Sequence, residues 1–242
     1  MESIKTIALT KMYKDLVVVD KLNLQIEKGE LFALLGVNGA GKTTVIKMLS
    51  CITKPTAGDA FLQSHSIVNE TNRVKQLIGV SPQETAVAPN LSVRENLELI
   101  CGIHVFSKEK QQAKIAELSD QFDLQHILDK KAGKLSGGWQ RRVSIAMALI
   151  SEPSILFLDE PTLGLDVIAR SELWELIRKL KGKITIILTT HYMEEAESLS
   201  DRIGIMDKGK LLVVGTAQEL MENTGTDKFE QAFISVIKEA NL

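Results

Sequence analysis

The chain has 242 residues, 44% of them hydrophobic and 25% charged, and its 29 basic residues face 31 acidic ones for a net charge of −2. That is enough to bury the core of one large α/β domain, or of a core with an inserted lobe. No basic excess marks it as a protein that grips nucleic acid, and runs such as LFALLGV and IAMALI fall far short of the roughly 18 apolar residues that cross a bilayer. The opening MESIKTIALT lacks the apolar core of a signal peptide, and Cys51 and Cys101 read as two reduced thiols. The expectation is a soluble chain that reaches a membrane only through a partner.

Taken in chain order, residues 3 to 35 are β-rich. IKTIALT, LVVVD and KLNLQIE read as short strands, and EKGE as a turn into the continuous apolar run LFALLG. Such a run fits a strand covered on both faces by helices. GKTTVIKMLSCI reads as a helix halted by KPTAGD, and LIGVSPQ as a strand ending at Pro82. Residues 84 to 150 read as a mainly helical lobe, opened by Ser92 and Glu95 at capping-box spacing and continued by KEKQQAKIAELSDQF. The core resumes with strand SILFLD, helix VIARSELWELIRKLK, strand ITIILTT and helix YMEEAESLS. RIGIMDKGKLLVVG then predicts a hairpin turning at Asp207 to Gly209, and DKFEQAFISVIKEANL one amphipathic packing helix.

GVNGAGKTT, from Gly36 to Thr44, matches the G-x-x-x-x-G-K-[ST] phosphate loop between a predicted strand and a predicted helix. Gly36, Gly39 and Gly41 let the backbone, with Val37, Asn38 and Ala40 between them, curl its N–H groups around phosphate oxygens at a helix N-terminus. Lys42 supplies a compact cation for the β- and γ-phosphates, and the Thr43 hydroxyl reaches Mg²⁺, with Thr44 closing the motif. In SILFLDEPTLGLD, Asp159 ends a buried strand where it can hold Mg²⁺ through water, and Glu160 is placed to activate a water. His191 follows the strand ITIILTT, so its side chain could reach the same edge; a lone histidine there is more often structural than catalytic. KLSGGWQRR poses a question, since adjacent glycines either join two helices as a loop or keep the backbone bare for something to approach.

GVNGAGKTT, SPQE, LSGGWQ, ILFLDEP, LGLD and TTHYMEEAE, in this order, resemble the ATP-binding cassette family of ATPases over essentially the whole chain. The resemblance implies an α/β fold: a P-loop NTPase core with a parallel sheet, an N-terminal antiparallel β subdomain and an inserted helical subdomain. It divides one domain, 1–242, into a core at 1–83 and 151–220, a helical lobe at 84–150 and a C-terminal helix at 221–242. It also implies ATP and Mg²⁺ as ligands, and a head-to-tail dimer with ATP sandwiched between the phosphate loop of one cassette and the LSGG of the other. The Ser136 side chain and the Gly137 and Gly138 N–H groups would then meet the partner's γ-phosphate. By the same resemblance Glu160 is the general base, His191 a γ-phosphate switch, Asp166 part of a dimer-crossing loop, and Gln83 a sensor of Mg²⁺ and the attacking water. Tyr13 falls where the family stacks an aromatic on adenine, a position that core packing would equally explain.

Trp139 replaces the glutamine usual after LSGG, and Leu163 replaces a small or polar residue before GLD. LSGGWQRR, TTHYMEEAE and DKFEQAF resemble the branch that exports drugs, antibiotics, sodium or polysaccharides. The implied partners are separate transmembrane permease subunits and a second ATPase subunit, on the cytoplasmic face of the cell membrane, with no nucleic acid expected. Family members that act on ribosomes or DNA, importer ATPases and a non-hydrolysing nucleotide regulator are the competing readings.

Overall fold

The computed structural model describes residues 2–241. β1 (Glu2–Tyr13) and β2 (Leu16–Glu27) form an antiparallel pair, so LVVVD and KLNLQIE are one strand rather than two. The interruption that the sequence suggests is a bulge. Ala8 and Lys21 both take positive φ there, and side chains replace the lost ladder bonds: Ala8 N–H donates to Asn23 Oδ1 at 2.8 Å, and Lys21 N–H to Thr10 Oγ1 at 3.1 Å. β3 (Leu31–Leu35) follows, wholly buried, and leads into α1 (Lys42–Leu49). α1 ends before KPTAGD, where the Ser50 hydroxyl bonds back to Ile46 O at 2.7 Å. Ala57 to Asp59 do not stop a helix; they start β4 (Ala57–Leu62), which joins β1 and the short β5 (His65–Ser66) in a sheet of order β2-β1-β4-β5.

After α2 (Thr71–Leu77) and β6 (Ile78–Ser81) the chain becomes helical. α3 (Val93–Ile103) carries the expected reciprocal cap between Ser92 and Glu95, and α4 (Lys108–Gln121) and α5 (Gly137–Leu149) follow. β7 (Ile155–Asp159), α6 (Val167–Arg178), β8 (Thr185–Thr190) and α7 (Met193–Leu199) resume the α/β alternation. The hairpin β9 (Arg202–Asp207) and β10 (Lys210–Gly215) turns at Lys208 and Gly209. The expected single C-terminal helix is two: α8 (Ala217–Thr224), with its own Thr216–Glu219 capping box, and α9 (Phe229–Glu239). Gly225, left-handed at the end of α8, breaks them apart.

The larger sheet has the order β10-β9-β3-β8-β7-β6, with β9, β3, β8, β7 and β6 parallel. Its central strands are apolar on both sides because they face two cores. Leu31, Ala33 and Leu35 of β3 pack with α3, α5, α6, α7 and α9, while Phe32 and Leu34 pack with α1 and the smaller sheet. Apolar side chains of the helical stretch, such as Leu97, Phe122 and Val143, belong to the first of these cores. No helix among the described residues is long and apolar enough to cross a membrane.

α9 docks through Phe229, Ala232 and Phe233, all buried. Phe229→Ala removes a ring that is only 2% exposed and is expected to cost about 3 kcal/mol or more. In a thermal melt that corresponds to about 2–4 °C per kcal/mol. A variant melting with the native chain would show that α9 does not dock.

Candidate active site

β3, β8, β7 and β6 are neighbours, and the loops that leave their C-terminal ends surround one cleft of about 410 Å³. The loop after β3 supplies its floor. A Cβ on Gly36 would lie 2.2 Å from Met206 O, and Gly41 has φ +103° with Val18 O 2.6 Å from any Cβ, so only glycine fits either place. Gly41 caps α1 in the left-handed region, and the first-turn N–H groups of that helix face the cleft without an acidic neighbour in the turn. Lys42, 6% exposed, threads back over the loop: its Nζ donates to Gly36 O at 2.7 Å and Val37 O at 3.2 Å, and lies 3.3 Å from Glu160 Oε1.

A single buried threonine behind the cleft organises the opposite wall. Thr189 Oγ1 donates to Asp159 Oδ1 at 2.5 Å and accepts from Glu160 N at 3.1 Å, so β8 fixes both acidic residues at the end of β7. Thr43 Oγ1 donates to the same Asp159 oxygen at 3.1 Å. Glu160 sits at φ +48°, a left-handed backbone that is strained for a glutamate, and its N–H is also held by Thr189 O at 3.1 Å. Its carboxylate reaches the cleft, where Oε2 lies 2.7 Å from His191 Nδ1. Each Glu160 oxygen thus faces a different partner, Lys42 or His191.

Asn38, Gly39, Ala40, Gly41, Lys42, Thr43, Thr44, Gln83, Glu160 and His191 line the cleft together, and Asp159 stands behind it against Thr43. The oxygen donors at Thr43 and Asp159, with Gln83 opposite, suit a hard cation that keeps several waters and borrows substrate oxygens, the manner in which Mg²⁺ is usually held. Tyr13 is not part of this surface. It ends the exposed tip of β1 under the Lys11 ammonium, 5.0 Å from its ring centroid, and Val18 of β2 lines the cleft instead. Leu163 lies on the rim.

Ser136, Gly137, Gly138 and Asp166 are not brought into the cleft. Ser136 and Gly137 are exposed at the N-terminus of α5, and the Ser136 side chain caps none of its own helix's N–H groups. Gly138 has a reason for being glycine inside this chain as well: a Cβ there would stand 3.1 Å from Ala169 Cβ of α6. Asp166 caps α6, accepting from Ile168 N at 3.0 Å and Ala169 N at 2.9 Å. Trp139 packs edge-on to His126 at 4.9 Å and beneath the Arg142 guanidinium at 4.5 Å, beside the helix that it belongs to.

A family model described as ABC transporter matches residues 19–163. The chain belongs to the ABC transporter family. As an ABC ATPase domain it binds and hydrolyses ATP. This cassette is 41% identical to the daunorubicin resistance ATP-binding protein DrrA3 of Streptomyces coeruleorubidus, over 91% of its own length and 70% of that protein's. It is 41% identical to the Nod factor export ATP-binding protein I of Burkholderia thailandensis, over 91% and 73% of the two lengths. Among solved structures, a post-hydrolysis dimer of the ATP-binding cassette MJ0796 bound to ADP and Pi matches with a TM-score of 0.78. The identity is 27%, over 88% of this chain and 98% of that one.

Three residues absent from the sequence reading shape the ABC site: Thr189, Arg141 and Glu195. Glu195 of α7 is fully buried, its Oε1 accepting from Thr162 Oγ1 at 2.8 Å and Trp174 Nε1 at 3.1 Å, while Oε2 has no hydrogen bond of normal geometry. Burial pushes its carboxyl above the usual range; hydroxyls of Thr190 and Thr162 and the Trp174 indole oppose this, and Glu160 adds to it. A glutamate raised in the folded state favours folding below its ordinary pKa of about 4.3, and that advantage is lost as pH climbs through the folded value. Glu195→Gln keeps the acceptor for Thr162 and Trp174 without a charge to bury. It is therefore expected to melt above the native chain at pH 8, by about 2–4 °C per kcal/mol relieved, with the gap closing toward pH 5. A gap that stays constant across that range would show that burial does not raise the Glu195 carboxyl in the fold.

Proposed function

We propose that this cassette is the ATP-hydrolysing subunit of a membrane exporter, and that two cassettes close on Mg²⁺-bound ATP and reopen after hydrolysis. The observation that carries the reading is the convergence of Lys42, the Thr43–Asp159 pair, the Glu160–His191 pair and Gln83 on one cleft. The export role is supported by relatives named for drug resistance and Nod factor export. By this reading the cassette works with separate permease subunits at the cytoplasmic face of the membrane.

Lys42 and the α1 N–H groups take the phosphates, since both present concentrated positive charge to the cleft. Thr43, Asp159 and Gln83 would hold Mg²⁺, which when bound would supply neutralising charge for the phosphates. As Lys42 turns to phosphate, Glu160 Oε1 is released, while His191 Nδ1–H holds Oε2 and keeps the carboxylate aimed. Glu160 then accepts a proton from the water that attacks the γ-phosphorus, and the bond to the β-phosphate oxygen breaks to leave ADP and phosphate. The N-terminus of α5, exposed and left uncapped by Ser136, offers its N–H groups to the γ-phosphate of a second cassette. The glycines serve this approach, although Gly138 also makes room for Ala169.

The test uses Gly137, where a Cβ meets only Leu165 Cδ2 at 3.6 Å, rather than the crowded Gly138. Glu160→Gln is expected to lower kcat by about a hundredfold or more and to accumulate an ATP-bound dimer in size-exclusion chromatography. Adding Gly137→Asp sets a carboxylate against the partner's γ-phosphate and is expected to weaken that dimer by about a hundredfold, while monomer affinity for ATP is retained. A dimer that survives Gly137→Asp would remove LSGG from the interface, and native turnover in Glu160→Gln would remove Glu160 as the base.

A further inference from the structure

Arg141 lies in α5, one turn beyond the glycine pair, and is 4% exposed. Its guanidinium ends on two main-chain carbonyls of the loop after β6: Nη1 donates to Pro82 O at 2.5 Å and Nη2 to Gln83 O at 2.6 Å. No carboxylate of the described residues pairs directly with it. Burial pulls its pKa down, while the charges of Asp159 and Glu195 act in the opposite sense. The contact is not isolated on this helix face. Ser144 Oγ meets Ser81 Oγ at 2.9 Å, and Gln140 Oε1 accepts from Thr85 Oγ1 at 3.4 Å, so α5 holds both flanks of Gln83. The neighbouring Arg142 points elsewhere, to Glu172 of α6 at 2.6 Å and Asp123 at 3.4 Å.

A buried guanidinium spent wholly on main-chain carbonyls fixes where a backbone runs, not which side chain it carries. Two adjacent carbonyls bound by one planar fork also fix its direction, which a lysine's single point charge does not do. The backbone so held is that of Gln83, which lines the cleft opposite Lys42 and Glu160. The anchor is the helix whose N-terminus carries Ser136, Gly137 and Gly138.

We propose that Arg141 is a positioning residue for the hydrolytic step, tying the Gln83 backbone to α5 so that Gln83 is set for chemistry only when that helix is docked. This rests on the reading of the cleft as an ATP-hydrolysing site. The consequence is a physical link between the two ends of the nucleotide: the helix that meets one cassette's ATP at its N-terminus carries the glutamine that serves the other site, in its own chain. Chemistry and docking are thereby joined at Arg141, between the flanking contacts of Ser144 and Gln140.

The experiment measures ATP affinity of the monomer by equilibrium binding, and kcat and KM for hydrolysis, on purified full-length chain. The variants are Arg141→Met, Arg141→Lys, Gln83→Ala, Arg142→Met and the pairs of each arginine variant with Gln83→Ala. Arg141→Met is expected to keep ATP affinity within about threefold and to lower kcat by about tenfold or more, and Arg141→Lys to recover part of that loss. Because Arg141 acts through Gln83, the Arg141→Met and Gln83→Ala pair should turn over no more slowly than Gln83→Ala alone. Arg142→Met, which loses Glu172, Asp123 and the Trp139 ring but no contact with the Gln83 loop, should add its effect in full. If Arg141→Met does not fold, Arg141→Lys carries the same cycle. Additive losses, an unchanged kcat, or an equal fall in affinity and kcat would overturn the role of Arg141 while leaving the site reading intact. No ATP hydrolysis by the native chain, or native kcat in Gln83→Ala, would instead overturn the site reading, and the inference with it.

Discussion

A lysine ammonium and a glutamate carboxylate face each other at 3.3 Å where both side chains are almost closed to water, and the proposed mechanism depends on that pair. A buried ion pair roughly breaks even against an apolar alternative, so Lys42 and Glu160 are not there to stabilise the fold. They hold each other in a place where neither charge is well hydrated. In the proposed mechanism an incoming phosphate competes for Lys42 and frees the Glu160 carboxylate from its partner. His191 meets that carboxylate from the other side, and the backbone at Glu160 is left-handed.

The sheet makes this arrangement possible. β3, β8, β7 and β6 are parallel neighbours, and the loop after each brings one part of the proposed site to the cleft: Lys42, His191, Asp159 with Glu160, and Gln83. Thr189 binds the middle of that edge together, because one hydroxyl serves Asp159 and the Glu160 amide at once. Behind it, the fully buried Glu195 links Thr162, just beyond Glu160, to α6 through Trp174. On the far flank α5 carries the last strand's loop on its own side chains, so the helical stretch and the sheet edge share residues of the site rather than only a border.

What could be read from the sequence was the part in which chemistry dictates residue type. A phosphate loop needs glycine where Met206 O and Val18 O crowd the backbone, a cation at Lys42 and a hydroxyl at Thr43, and those letters stand in GVNGAGKTT. The alternating cores on the two faces of β3 likewise show as the unbroken run LFALL. Residues that act through geometry left no such mark. Thr189 looks like filler in a β-rich stretch, and Arg141 like one more charge in QRR until its fork is seen on two carbonyls. Tyr13 is placed by a family pattern alone; it is exposed at the end of β1, while Val18 of β2 lines the cleft. The second C-terminal helix was visible in principle: Thr216 and Glu219 stand at capping-box spacing, the same signal that located α3.

The competition for Lys42 is open to direct measurement. Equilibrium binding of ATP without Mg²⁺, compared between the native chain and Glu160→Gln at equal ionic strength, isolates it from turnover and dimerisation. With no carboxylate to displace, Glu160→Gln should bind ATP tighter by about tenfold, about 1.4 kcal/mol. Equal or weaker binding by Glu160→Gln would show that Lys42 and Glu160 do not hold each other against the nucleotide.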